Sequence, residues 1–267
     1  MNFKDYEIID FHTHPFPAYE YNICDHKSVV HMDVNTTRET MRDLGISKIC
    51  GSVLRMDRQN CGEGFQFCRE LNDFALELRD IYGEDFYIPG IQVDPHYVKE
   101  SIDEIDRMSK KGVKLVGELV PWLMGWGHDY DCKEIGEIFE VAKEYGMIIS
   151  LHSACEEVDA MDRLIKAHPD VTIVAAHPGE YGEFSRHMQR MEYSENYYLD
   201  LSGYGIFRHG LLRAALDKFG KERFLFGSDY PTCNPAMYLG GVLLDPLITD
   251  EEKEYIFSKN AKRLLGI

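Results

Sequence analysis

Along the chain, short continuous apolar runs alternate with stretches in which apolar residues recur every third or fourth position. Eight runs rich in β-branched and apolar residues stand at 7–11, 47–54, 86–93, 113–119, 147–151, 171–176, 197–201 and 223–227. Several are apolar at nearly every position, the pattern of parallel strands buried on both faces. Between them the period changes. Phe67, Leu71, Phe74, Leu78 and Ile81 repeat at helical spacing, and Gly83 supplies a stop. Ile102, Ile105 and Met108 before Gly112 repeat the scheme, as do Ile135, Ile138, Phe139 and Ala142 before Gly146, and Leu211, Leu212, Ala215 and Leu216 before Gly220. Thr36 and Glu39 have capping-box spacing ahead of Met41, Leu44 and Gly45, which predicts a helix opening at Thr36.

Strand starts fall 24 to 40 residues apart with no break in composition and no low-complexity linker. Successive βα units of that size predict an α/β protein with a parallel sheet. A length of 267 residues matches one (β/α)8 TIM barrel, which runs to about 250 residues, so residues 1–267 are expected to form a single domain. The longest non-helical stretches, 14–35, 121–133 and 230–241, follow strands one, four and eight. In a barrel they crown the C-terminal face, where chemistry is located.

Composition narrows the partners. Asp and Glu number 46 against 29 Lys and Arg, a formal charge of −17 that repels phosphate backbones and anionic lipid surfaces. Neither nucleic acid nor membrane is an expected partner. The N-terminus lacks a continuous apolar segment, and no later run approaches the roughly 18 apolar residues of a membrane span, so a cytoplasmic protein is expected. A homo-oligomer is compatible with the sequence. Seven cysteines, an odd number without CxxC spacing, read as reduced thiols. Cys24, Cys61, Cys132, Cys155 and Cys233 fall in or near loops after strands, which leaves a redox or ligand role open.

His12 and His14, in IIDFHTHP, stand two apart at the end of the first strand, so both imidazoles point to one side and can reach one ion. Alone the pair is a weak signal. Other donors also end predicted strands: His152 closes MIISLH, His177 closes VTIVAAH and Asp229 closes RFLFGSDYP. Strand ends at one rim converge in space. Each residue taken singly reads equally as a satisfied buried polar group, but the five together form a metal constellation. Imidazoles with a carboxylate favour zinc, with manganese or iron(II) also suited.

Together with IIDFHTHP, the segments HPDVTIVAAHPG, YYLDLSGY, FLFGSDYP and NAKRLLGI resemble the amidohydrolase superfamily over nearly the whole length. In spacing the chain is similar to the amidohydrolase-related (amidohydrolase 2) branch of small hydrolases, lactonases, decarboxylases and hydratases. The resemblance implies that His12, His14, His152 and Asp229 bind metal, and that His177 either binds a second metal or faces the substrate. Glu118, in VKLVGELVPW, stands where binuclear members place a bridging carboxylated lysine or glutamate, and it resembles the GE-containing strand ends of TatD-like hydrolases. Many decarboxylase relatives are mononuclear and lack that group. Glu118 is therefore read either as a ligand or as a rim carboxylate held by a local salt bridge, and the count of one ion or two stays open.

These readings lead to a metal-dependent hydrolase. A metal-activated water attacks a lactone, ester or amide carbonyl of a small carboxylic acid derivative, Asp229 carries the proton, and His177 steadies the developing oxyanion. The alternative is a metal-dependent lyase, a decarboxylase or hydratase of a small acid. The acidic balance argues against a nuclease, and no ligand is missing as a silent binding barrel would require. For the substrate, Arg55 offers a guanidinium to a carboxylate, or else pairs with Asp57. Trp122, with Trp126 and Tyr130, either walls the pocket or packs its loop onto the barrel. Ser202, Tyr204, Arg208 and His209 are lesser candidates. His26, His31, His96, His128, His168 and His187 are read as surface or loop residues.

Overall fold

In a computed structural model of the chain, residues 3–18, 23, 32–55, 64–126, 130, 132–153, 158–205 and 208–267 are described. Eight parallel strands follow one another in a single sheet: β1 (Ile8–Thr13), β2 (Ile46–Ser52), β3 (Tyr87–Ile91), β4 (Leu115–Leu119), β5 (Ile148–His152), β6 (Ile173–Ala176), β7 (Tyr197–Asp200) and β8 (Phe224–Leu225). Each pairs with the next. Backbone bonds then join the last strand region to the first: Phe11 N–H donates to Phe226 O at 2.8 Å, Asp229 N–H to His12 O at 2.8 Å and His14 N–H to Tyr230 O at 2.6 Å. The closed sheet is the (β/α)8 TIM barrel expected from the pattern. All eight predicted runs overlap a strand, though the last strand covers only two residues because the chain beyond Leu225 turns to place Asp229.

Helices fill the intervals: α1 (Val34–Asp43), α2 (Gln66–Tyr82), α3 (Val98–Ser109), α4 (Pro121–Met124), α5 (Lys133–Glu144), α6 (Val158–Ala167), α7 (Tyr181–Tyr193), α8 (Leu211–Phe219), α9 (Pro235–Leu243), α10 (Asp250–Glu254) and α11 (Asn260–Leu265). Three helices correct the sequence reading: α4 and α9 begin in the stretches 121–133 and 230–241 expected to be non-helical, each opened by a proline at its first position, and the start of α1 differs. α1 begins before Thr36, because the Asp33 side chain accepts from Asn35 N–H and Thr36 N–H while the Thr36 hydroxyl accepts from Asp33 N–H. The capping box is Asp33 with Thr36. Among the described residues no helix is long and apolar enough to cross a membrane.

Alternation along the strands sorts side chains into two cores. Ile9 and Phe11, Cys50, Ile88, Leu115, Ile148, Val174, Tyr198 and Leu225, drawn from all eight strands, fill the interior with Ala261 and Leu265 of α11. Their neighbours, such as Ile8, Ile49, Val116, Ile149 and Ile173, face the helices. On β5 the rule runs unbroken: Ile148 inward, Ile149 outward and, two residues further each time, Ser150 and His152 inward. On β4 the register shifts between Val116 and Leu119. Both of those residues pack outward although three apart, and the extra residue turns Glu118 to the inner side. A similar shift between Asp10 and Thr13 sets His12 and His14 on the interior above Phe11.

Candidate metal centre

Four imidazoles and two carboxylates meet at the C-terminal mouth of the barrel. The His12 and His14 rings stand edge to face with their Nε2 atoms 3.2 Å apart. Each ring is turned by a bond behind it. Nδ1 of His12 lies 2.9 Å from Oδ2 of Asp200, the buried last residue of β7, and Nδ1 of His14 lies 3.1 Å from the Ser52 carbonyl. Both partners are acceptors, so each Nδ1 carries a proton and each Nε2 is the atom turned into the cluster.

Glu118 divides its carboxylate between two groups of histidines. Oε2 lies 3.3 Å from His14 Nε2 and 3.5 Å from His12 Nε2, while Oε1 lies 3.0 Å from His152 Nδ1 and 3.3 Å from His177 Nε2. Asp229 closes the cluster with Oδ1 at 3.4 Å from His14 Nε2 and 3.7 Å from His12 Nε2. Its other oxygen, Oδ2, accepts from the Cys233 thiol at 3.7 Å.

His177 and Asp229 both follow a strand end and adopt φ of 65° and 61°, a region that residues with a side chain rarely occupy. Such conformations cost about 1–3 kcal/mol each and persist only where the surroundings fix them. Here they do. Asp229 N–H is tied to His12 O. The His177 carbonyl accepts from the Ser153 hydroxyl at 2.9 Å and from His187 Nε2 at 3.2 Å, its Nδ1 sits 3.2 Å from the Ser202 hydroxyl, and Tyr204 stacks on its ring.

The electrostatics favour positive charge at the centre. Burial alone would press the His14 ring down, yet the Asp229 and Glu118 carboxylates outweigh it and lift the ring to about 9. Against the same burial, the charges of His12 and His152 hold Glu118 well below the ordinary carboxylate range. Two subsets have donor atoms within 4.8 Å of one another: His12, Glu118 and His177, and His12, His14 and Asp229. Buried, convergent nitrogen and carboxylate donors of this kind fit a divalent ion, which would displace the protons that the bare imidazoles hold.

A cleft of about 170 Å³ opens over the cluster, floored by His14, Glu118, His152, His177 and Asp229 and walled by Ile23, Leu54, Val120, Trp122, Leu123 and Thr232. A larger cavity of about 410 Å³, between Arg208 and His209 and the α9 residues Met237 and Tyr238, has no such set of donors, so the smaller cleft is where chemistry is placed.

The structure brings His12, His14, Glu118, His152, His177 and Asp229 together as one cluster. Trp122 lines the cleft with 54% of its surface exposed, whereas Trp126 and Tyr130 are buried and pack the loop onto the barrel. Arg55 is half-buried beside Leu54, and the cleft wall takes Leu54 and not Arg55 among the described residues. Asp57 lies outside the described residues, as do Cys24, Cys61, Cys155, His26, His31 and His128. His96 and His168 are partly exposed and pair with Asp94 and Glu140. His187 corrects the sequence reading: it is a buried histidine of α7, bonded to the Tyr197 hydroxyl at 2.7 Å and to the His177 carbonyl. Burial, with the nearby charge of Arg190, holds it well below its usual range, so it stays neutral. Asp200 received no role from the sequence. Its signal was a lone carboxylate inside the apolar run YYLDLS.

Residues 9–267 match the family model for amidohydrolases, Amidohydro_2. No protein of curated function matches the sequence. The fold is similar to an uncharacterised TIM-barrel protein of Bordetella bronchiseptica, at TM-score 0.73 and 20% identity over 97% of this chain and 98% of that one. It is also similar to 5-carboxyvanillate decarboxylase of Sphingomonas paucimobilis, at TM-score 0.68 and 15% identity over 98% of this chain and 99% of that one. A third similar structure is a dihydroxybenzoic acid decarboxylase of a Polaromonas species, with bound manganese and the inhibitor 2-nitroresorcinol, at TM-score 0.67 and 18% identity over 100% of this chain and 97% of that one. At these identities the likeness establishes the fold.

Proposed function

The chain belongs to the amidohydrolase family, and from that premise we propose that it is a metal-dependent lyase that removes carbon dioxide from a small carboxylic acid. The observation that carries this reading is the cleft, whose walls among the described residues are the apolar Ile23, Leu54, Val120, Trp122 and Leu123, with Thr232 the one polar side chain beside the donor cluster. An ionised carboxylate is poorly solvated between such walls, and neutral carbon dioxide is not, so the surroundings favour the state in which charge has left the carboxyl group. The decarboxylases of similar fold support the same choice over the hydrolysis expected from sequence.

His12, His14 and Asp229 would hold a divalent ion on one side of Glu118, with manganese or zinc fitting the donors. Bound there, the ion supplies Lewis acidity toward a substrate oxygen. The chain's own residues do the rest. Trp122 and Leu54 exclude water from the body of the substrate. His177, clamped at its carbonyl and at Nδ1, presents Nε2 to the cleft, and Asp229 lies across from it. As the bond to the carboxyl carbon breaks, carbon dioxide leaves and the electron pair stays on the carbon left behind; one of these two groups, having taken up a proton from solvent, delivers it to that carbon.

The test is to incubate metal-loaded protein with small aromatic and unsaturated carboxylic acids and to measure carbon dioxide, with lactones and esters assayed in parallel. Release of carbon dioxide from at least one acid, abolished by metal removal, is the expected result. Ester or lactone cleavage without carbon dioxide would sink the reading. A second reading, the hydrolase, is favoured by one feature: Glu118 reaches His12 and His14 through one oxygen and His152 and His177 through the other. That division suits a carboxylate shared by two ions. Two bound metals per chain with hydrolysis of a lactone or ester would establish it.

A further inference from the structure

Gln92, the residue after β3, is fully buried, and β3 itself gives no donor to the cluster among the described residues. Its side-chain nitrogen donates to the Ser52 hydroxyl at 2.8 Å and to the Glu118 backbone carbonyl at 2.9 Å. The Glu118 carbonyl only accepts, which settles which end of the amide faces it, since the reverse orientation would set two oxygens against each other. The Ser52 carbonyl in turn accepts from His14 Nδ1. One amide thus spans the two strands flanking β3: β2, which anchors the His14 ring, and β4, which carries Glu118.

Gln92 is itself held at both backbone groups by Asn72 of α2. Asn72 Oδ1 accepts from Gln92 N–H at 2.6 Å, and its Nδ2 donates to the Gln92 carbonyl and to buried Glu104 of α3, each at 3.0 Å. Glu104 is clasped by Arg107 at 2.6 Å. The Gln92 side-chain oxygen, by contrast, has no hydrogen-bond partner among the described residues. A buried oxygen left unpaired is destabilising. An apolar side chain of the same length would fill the space without that cost, so the use of glutamine lies in the two bonds its nitrogen donates.

We infer that Gln92 is a positioning residue for the donor cluster, fixing the β2 and β4 strand ends so that the His14 ring and the Glu118 carboxylate hold their spacing. The inference rests on reading the cluster as a divalent-metal centre. Gln92→Met keeps length and volume and removes both donors. Metal-stripped wild-type and variant proteins are titrated with Mn²⁺ and with Zn²⁺, and the melting of the stripped proteins is recorded beside them. The stripped variant should melt close to wild type, while its affinity for the ion falls about tenfold or more, as for other groups that orient ligands from behind. Affinities equal within about twofold overturn the inference. Should the Met variant fail to fold, Gln92→Asn carries the test by the same criteria, because its shorter amide cannot reach both acceptors. Wild-type protein that takes up neither ion removes the metal reading and this inference together, whereas normal uptake by wild type and variant alike removes the inference alone.

Discussion

At the scale of single residues, the centre depends on groups that stand behind the donors as much as on the donors. Asp229 faces His12 and His14 with one oxygen and Cys233 with the other. Replacing it by Asn keeps the shape and removes the proposed proton carrier and one carboxylate from the proposed metal donors. Asp229→Asn should therefore lose turnover by about a thousandfold or more while the metal-stripped variant melts as stripped wild type does, and full activity in that variant would end the proposed role. Asp200→Asn tests the support of His12: the ring loses its carboxyl partner, and metal affinity should drop about tenfold to a hundredfold. Gly203 offers a steric test. It has φ of 65°, and a Cβ there would come within 2.0 Å of His177 Nδ1. Gly203→Ala should displace the His177 ring and cut turnover sharply while far-ultraviolet circular dichroism stays as in wild type. A fully active alanine variant would mean that the ring's position does not matter.

At the scale of elements, the helices show how far local pattern reaches. The apolar spacing and the glycine stops mark α2, α3, α5 and α8 correctly because both signals lie within a turn of the residues they organise. At the opening of α1 the spacing of Thr36 and Glu39 imitates a cap, whereas Asp33, three residues before Thr36, makes the actual one. Another pairing invisible to spacing is Arg213 of α8 with Glu252 of α10, bonded at 2.8 and 2.9 Å. Arg213 lowers the Glu252 carboxyl to about 2 from an ordinary 4.5. A folded-state value below the unfolded one contributes stability that is present above 4.5 and lost as pH falls through 2. The wild-type advantage over Glu252→Gln, measured by thermal melting, should accordingly shrink across that interval. A constant difference down to the lowest pH would assign the effect to something other than this ionisation.

At the scale of the whole molecule, a bound ion would link segments far apart in sequence, since His12 stands on the first of eight strands and Asp229 follows the last. Adding Mn²⁺ or Zn²⁺ to stripped protein should raise its melting temperature, with about 2.7 kcal/mol of added stability when the free ion is at a hundred times its dissociation constant. An unchanged melting curve at saturating ion would show that the folded cluster does not prefer it. The barrel, its strand order and the placement of His12, His14, His152, His177 and Asp229 near one rim were legible in the sequence, because alternation, helical period and strand ends are properties of a few consecutive residues. Three features were decided only in the tertiary structure. Asp200 lies 188 residues from the ring it orients. His187 is buried because its helix packs on the sheet beside His177. Glu118 turns inward through a register shift that its own residue pattern does not announce. Each depends on which strand ends meet when the barrel closes, and closure is a property of the whole chain.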